Sequence, residues 1–322
     1  MPDILITENI RGAAVDALFS RFDTTFLPDL WMDPAGLAKR VGDFRALIVR
    51  NQTQVNAALL AAARRLVVVG RAGAGLDNVD VDAATKAGIL IASTPDQNAI
   101  SVAELAIGLM ISLARGIPAA NQETKQGKWN RQQFLGNELY GKTLGIIGAG
   151  KIGYLTARRA QAFGMKIIAH DPFISRDNIL LSELNAELLP LDDLLARADV
   201  ISCHLPATPQ TVGLLNTGCF GKMKPTATFI NTSRGEVVVE DDLLSALKSG
   251  RLAGAALDVR TTEPPPQGEL ERLPNLILTP HVAAFTHEAQ DRVTKAICDD
   301  VARVLNGKPA QNAVNIVPRK PD

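Results

Sequence analysis

Residues Thr143 to Gly153 read TLGIIGAGKIG, a buried-strand pattern that runs into Gly148, Gly150 and Gly153 at GxGxxG spacing, and the helical stretch YLTARRAQAFG follows directly. The spacing carries meaning only in that order of strand, glycine turn and helix. The first glycine permits a tight turn, the second lets backbone approach a pyrophosphate, and the third lets the helix pack on the strand. The unpaired N–H groups at the helix start then face the phosphates. The next strand, MKIIAH, ends at Asp171, 23 residues after Gly148 and near the distance at which an acid takes an adenosine ribose hydroxyl. A carboxylate there favours NAD and repels the 2′-phosphate of NADP, while Arg176 nearby leaves residual NADP use open.

Working outward, short β-branched runs alternate with Ala/Leu-rich stretches along nearly the whole chain. That alternation predicts an α/β protein with parallel sheets covered by helices on both faces. A first set of strands is expected at Ile4 to Thr7, Ala46 to Arg50, Leu66 to Gly70 and Ile89 to Ala92. A second set of six follows at Thr143 to Ile147, Lys166 to Ala169, Val200 to His204, Thr228 to Asn231, Ala253 to Asp258 and Leu276 to Thr279. Between them SVAELAIGLMISLARG, from Ser101 to Gly116, is apolar on nearly all sides and predicts a buried helix linking two domains. Glu288 to Leu305 reads as a long amphipathic helix that returns to the first domain, ended by Asn306-Gly307 and followed by the extended tail NAVNIVP.

The 322 residues suit two domains of ordinary size. With 46% hydrophobic and 21% charged residues, and 34 basic against 34 acidic side chains, nothing calls for nucleic acid or an anionic membrane. No apolar run approaches the roughly 20 residues of a membrane span. The N-terminus lacks the basic region and long apolar core of a secretory signal, so a cytoplasmic enzyme is expected. Cys203, Cys219 and Cys298 form no CxxC pair, which suggests buried reduced thiols and no metal site.

A second glycine-rich stretch, GRAGAGLDNVD from Gly70 to Asp80, leads to polar residues and reads as a substrate loop, its N–H groups and Arg71 suited to a carboxylate. Three further segments each follow a strand of the second set, where ligands bind in open α/β sheets: NTSRG with Arg234, ALDVRTTEPPP with Asp258 and Glu263, and LTPHVAAF with His281. Hydride transfer on a 2-hydroxy acid needs a cation for the carboxylate and an acid/base for the hydroxyl. Arg234 suits the first because its planar guanidinium makes two parallel hydrogen bonds. His281 suits the second, since an imidazole changes charge near physiological pH and Glu263 would fix its orientation. The small residues Val282, Ala283 and Ala284 leave room for a nicotinamide ring. Taken alone, His170, His204 and His287 read as hydrogen-bonded core residues. Nothing matches HExxH, GxSxG or a Walker loop.

With these residues in view, the chain resembles the D-isomer-specific 2-hydroxyacid dehydrogenases, and within them the catalytic portion of the D-3-phosphoglycerate dehydrogenases. The segments that carry the resemblance are VGRAGAGLDNVD, GKWNRQQFLGNELYGKTLGIIGAGKIG, FGMKIIAHDP, NTSRGEVV, AGAALDV, the EPP at Glu263 to Pro265, and TPHVAA. The resemblance implies that Arg234 binds substrate, His281 is the acid/base and Glu263 its partner. It also implies NAD as cofactor, held by Gly148, Gly150, Lys151, Ile152, Gly153 and Asp171, with Asp258 on the nicotinamide carboxamide. His204, Pro206, Thr232 and Ala283 complete the expected cofactor set.

Two Rossmann-like, doubly wound domains follow: a discontinuous, flavodoxin-like substrate domain from 1–100 and 287–322, and an NAD-binding domain over 101–286. The resemblance further implies a homodimer through the NAD-binding domain, with Trp129 to Tyr140 reaching across. Arg50, Arg71 and Arg131 match arginines that hold a phosphate, with Ala72 and Gly73 beside them on the substrate loop. Arg260 and Ala74 depart from the Phe and Thr common at those positions, which is expected to alter specificity. The chain stops at Asp322 without the regulatory domains of long relatives, so feedback by serine is not expected.

The leading reading is oxidation of D-3-phosphoglycerate to 3-phosphohydroxypyruvate. A reductase of hydroxypyruvate or glyoxylate, or a dehydrogenase of another anionic acid such as sulfolactate, is the enzymatic rival. A non-catalytic NAD-sensing protein is the rival from another class.

Overall fold

A computed structural model describes residues 2–175 and 182–317. The chain divides into two compact units, Met1–Asn98 with Phe285–Asp322, and Ala99–Ala284.

The first unit carries a five-stranded, all-parallel sheet of β1 (Ile4–Ile6), β2 (Thr24–Phe26), β3 (Ala46–Val49), β4 (Val68–Arg71) and β5 (Leu90–Ser93), in the order β2-β1-β3-β4-β5. This is the flavodoxin-like order. Because strands of a parallel sheet are buried on both faces, their side chains alternate between two cores. Ile4, Ile6, Ile48 and Val68 meet Val293, Ile297 and Val301 of the helix His287–Leu305, whereas Leu5, Leu47, Val49 and Val69 meet Leu37, Val41, Leu59 and Leu60. The C-terminal helix therefore returns to the first sheet, starting where the Thr286 hydroxyl accepts the Ala289 N–H. Each of its large apolar side chains contributes about 1.5–3 kcal/mol by leaving water.

Beyond Gly307 the chain lies antiparallel along the edge strand β5. Ser93 N–H donates to the Asn312 carbonyl at 3.0 Å and Val314 N–H to Ile91 at 2.8 Å, while the Asn315 side chain accepts from Ile91 N–H and donates to Ile89 O. The pairing covers part of an otherwise open edge. The buried Asp300 carboxylate anchors the approach by accepting the N–H groups of Gln311 and Asn312.

The second unit holds a seven-stranded parallel sheet of β6 (Thr143–Ile147), β7 (Lys166–His170), β8 (Glu187–Leu188), β9 (Val200–Cys203), β10 (Thr228–Asn231), β11 (Gly254–Leu257) and β12 (Leu276–Leu278). Its order, β12-β11-β10-β9-β6-β7-β8, reverses direction between β6 and β9, the switch point of a doubly wound dinucleotide fold. Both sheets bear out the expected fold class.

Two strands escape the sequence reading, Thr24–Phe26 and Glu187–Leu188. Both lie at sheet edges, are short, and carry no apolar run to mark them. The helix Ala99–Arg115 also differs from expectation: it opens the second unit and packs on β10 and β11, but Ile100, Glu104 and Gly108 form an exposed row at a spacing of four. Its hydrophobicity exceeds its burial. No single helix among the described residues is long and apolar enough to cross a membrane.

Candidate active site

Gly148 follows β6 with φ 91°, a left-handed backbone that side chains disfavour, and a Cβ there would lie 2.9 Å from the His204 carbonyl oxygen. A Cβ on Gly153 would run into the Gly148 carbonyl, so the helix Lys151–Gln161 can sit this close only on glycine. Around Gly150, by contrast, a Cβ would find nothing within 4 Å. Gly150 caps the helix without any side-chain hydrogen bond, leaving the first-turn N–H groups unpaired by a cap. A tight turn, a close helix and open space before bare N–H groups fit a dinucleotide pyrophosphate. Lys151 is exposed and Ile152 half-buried in the first turn.

Asp171 follows β7 and is fixed by two backbone donors, Ala149 N–H to Oδ2 at 3.0 Å and Phe173 N–H to Oδ1 at 2.9 Å. That ties the acid to the glycine turn itself. Arg176 lies outside the described residues. His204 follows β9, its Nε2 2.9 Å from the Ser202 hydroxyl and its buried Nδ1 without a hydrogen-bond partner among the described residues. Burial pushes its pKa down to about 4. Pro206 is exposed, its carbonyl accepting from the Thr211 hydroxyl at 2.6 Å, and the buried Thr232 hydroxyl also lacks a partner among the described residues.

Arg234 stands on a turn that Asn231 shapes: its side chain donates to the Arg234 carbonyl at 2.8 Å and accepts from Ser233 N–H and Oγ. Gly235 then allows the Arg260–Thr261 backbone to cross in the space a Cβ would fill. Asp258, 1% exposed, follows β11. Its carboxylate accepts from the Thr279 hydroxyl at 2.5 Å, Val282 N–H at 2.9 Å and the buried Ala283 N–H at 2.8 Å. Three of its roughly four acceptor positions thus serve the protein itself.

The turn so held carries His281 at φ 53°, a left-handed conformation that costs a non-glycine residue about 1–3 kcal/mol and is characteristic of functional sites. Its Nδ1 lies 2.6 Å from Glu263 Oε2, and Glu263 Oε1 accepts Arg260 N–H at 3.0 Å. Nε2 has no hydrogen bond among the described residues. An imidazole held at one nitrogen by a carboxylate and open at the other can take and return a proton. Arg234, Glu263 and His281 all belong to the second unit, with the glycine turn.

In the first unit Arg50 follows β3 and Arg71 ends β4. The Arg50 guanidinium lies 5.2 Å from the centre of the exposed Phe285 ring, and burial lowers its pKa against the opposing pull of Glu8. Arg71 is 8% exposed and reaches Asn78 Oδ1 at 3.5 Å; the buried Ala72 and Gly73, at φ 141°, follow it. Arg131 is exposed on the 3₁₀ turn Arg131–Phe134 of the second unit.

Sequence reasoning missed two residues that organise this region. The Glu8 carboxylate, 4% exposed, accepts N–H groups from Arg50, Gln52 and Thr53, and the Asn78 amide donates to the Arg50 and Thr53 carbonyls. The sequence signals were an acid two residues past β1, near a strand's carboxyl end, and the place of Asn78 within the glycine-rich loop. The Arg260 guanidinium is bound to Glu240 and Glu271.

Residues 107–283 match the family model of the D-isomer specific 2-hydroxyacid dehydrogenase, NAD binding domain. The chain is 44% identical over 314 residues to the D-3-phosphoglycerate dehydrogenase of Archaeoglobus fulgidus, covering 97% of this chain and 59% of that protein. With the Rattus norvegicus D-3-phosphoglycerate dehydrogenase it shares 45% over 279 residues, 87% of this chain and 52% of that protein. It spans a little under three-fifths of such relatives. Among solved structures, a glyoxylate reductase from Paecilomyes thermophila superposes with TM-score 0.88 at 31% identity, covering 98% of this chain and 99% of that one. The D-mandelate dehydrogenase of Rhodotorula graminis gives TM-score 0.90 at 28% identity, with 98% of each chain covered. A family model that covers more than half the chain, and relatives that match across nearly all of it, agree with the glycine turn and the His281–Glu263 pair: the chain belongs to the D-isomer specific 2-hydroxyacid dehydrogenase family.

Proposed function

We propose that this chain carries the catalytic portion of an NAD-dependent dehydrogenase that oxidises D-3-phosphoglycerate at C2. The observation that carries the reading is the 2.6 Å contact between His281 Nδ1 and Glu263 Oε2, on the same unit as the glycine turn. Arg234 binds the substrate carboxylate through its guanidinium and, in the reverse direction, polarises the C2 carbonyl. His281 Nε2 takes the hydroxyl proton, and Glu263 stabilises the imidazolium so formed. NAD, when bound, accepts the hydride that leaves C2. In the reverse direction His281 returns its proton to the carbonyl oxygen.

Gly148, Gly150, Gly153 and Lys151 would hold the pyrophosphate, with Ile152 packed beside it, and Asp171 the adenosine ribose. His204, Pro206, Thr232, Asp258 and Ala283 would line the rest of the cofactor site. Arg50, Arg71 and Arg131, with the N–H groups of Ala72 and Gly73, would hold the substrate's anionic groups. A homodimer through the second unit belongs to the same reading, supported by Trp129, Leu135 and Tyr140 at 80%, 92% and 77% exposure. So does a cytoplasmic setting, supported by three buried, unpaired cysteines.

The test is NADH formation with D-3-phosphoglycerate, D-glycerate, sulfolactate and D- and L-lactate, repeated for Arg131→Ala. Preference for D-3-phosphoglycerate that Arg131→Ala abolishes supports the reading. Turnover confined to acids without a second anionic group, and indifferent to Arg131, keeps the mechanism and rejects the substrate. NADH binding without turnover of any acid rejects the enzyme.

A further inference from the structure

The His281–Glu263 pair is half exposed, its side chains retaining 48% and 37% of their accessible surface. Ion pairs in that setting are held weakly by their own attraction. Something else must keep the Glu263 carboxylate aimed, and the loop that carries it is pinned by an ionic cluster.

Arg260, 11% exposed, forks between two acids. Nε and one terminal nitrogen donate to the Glu240 oxygens at 3.1 and 2.8 Å, and the other terminal nitrogen donates to Glu271 Oε1 at 2.5 Å. Each acid also holds loop backbone. Glu240 Oε1 accepts Thr261 N–H at 2.8 Å, and Glu271 Oε2 accepts Gly268 N–H at 2.7 Å. Glu240 opens the helix Glu240–Lys248, so the cluster fastens both ends of the loop to a regular element of the second unit. Between the fastened points lies Glu263, one oxygen on Arg260 N–H and the other on His281.

We propose that Arg260, clamped by Glu240 and Glu271, is a positioning residue that fixes Glu263 and, through it, the His281 ring. Planar, bidentate and always charged, a guanidinium can hold two acids at fixed angles where a lysine cannot. The hydrogen bond to Glu240 raises the Arg260 pKa, and the bond from Arg260 lowers that of Glu271, so each partner favours the charged form of the other. The role rests on the functional reading above for its catalytic meaning and on the geometry alone for its structural one.

The variants are Arg260→Met, which keeps bulk and removes the fork, Arg260→Lys, and the single changes Glu240→Gln and Glu271→Gln. Turnover of the preferred hydroxy acid is measured with NADH affinity and with the downfield proton resonance of His281 Nδ1–H, which reports its short bond to Glu263. In Arg260→Met kcat falls about 10–100-fold, the scale for a misplaced catalytic group, with the acid's KM and NADH affinity within about twofold of the parent. The resonance is lost. Arg260→Lys recovers part of kcat. A folded Arg260→Met protein with parental kcat and an unshifted resonance overturns the proposal. Should Arg260→Met fail to fold, the glutamine variants decide: a resonance unaltered in both overturns it, and one weakened in each upholds it. If the parent turns over no hydroxy acid, the functional reading falls while the resonance still decides the positioning.

Discussion

The backbone N–H of His281 donates to the Asp258 carbonyl at 2.8 Å, and the Asp258 carboxylate takes the next two N–H groups, those of Val282 and Ala283. One buried residue thereby dictates the turn that presents the candidate acid/base. Asp258→Asn sets an amide against those donors and leaves at least one unsatisfied. The expected result is a loss of about 1–3 kcal/mol of stability together with reduced kcat, read from denaturant unfolding and turnover. Parental values in both would show that the turn holds itself.

His281→Ala removes the proposed proton acceptor and leaves the glycine turn untouched. Turnover should fall by about 10²–10⁴-fold with NADH affinity retained, measured by steady-state kinetics and fluorescence titration. An active alanine variant would take the proton-transfer role from His281.

Gly153 and Gly150 are expected to fail differently. Gly153→Ala drives a Cβ into the Gly148 carbonyl, where no flexible side chain can give way, and should cost about 1–3 kcal/mol of stability. Gly150→Ala meets open space, so its unfolding midpoint should hold while its NADH affinity drops. Comparing melting curves with NADH titrations separates the two; equal losses of stability would refute the distinction.

His204 gives the fold an acid sensitivity. Its folded pKa of about 4 lies below the ordinary imidazole value of 6.5, so the folded state favours the neutral ring. Stability is full above about pH 6.5 and is lost as pH falls toward 4, because the unfolded chain binds a proton the folded chain resists; the loss is at most about 3 kcal/mol. Urea unfolding across that range should show a flatter acid limb for His204→Gln. Parallel curves would assign the acid sensitivity to other groups.

The sequence made legible what depends on local pattern. The central strands are short, mostly apolar runs, and the glycines need a specific backbone, so both can be read from single stretches. The short edge strands Thr24–Phe26 and Glu187–Leu188 arise from pairing with a neighbour already in place, which no local pattern records. The exposed row on the helix Ala99–Arg115 has the same cause, since hydrophobicity alone does not say which faces a core reaches. Glu8, Asn78 and Arg260 act through partners far away in sequence, and only the folded chain brings those partners within hydrogen-bond distance.

The helix His287–Leu305 and the tail paired with β5 set an order of assembly. Both complete the first sheet, yet a ribosome makes them only after the whole of the second unit. Until then Ile4, Ile6, Ile48 and Val68 lack the helix that covers them. The second unit, one continuous segment, can fold as it emerges, while the first must close a loop spanning that entire unit before its sheet is covered. Nascent chains halted before residue 287 should therefore show a protease-resistant second unit and a sensitive N-terminal segment; resistance of both would mean the first sheet folds without its last helix.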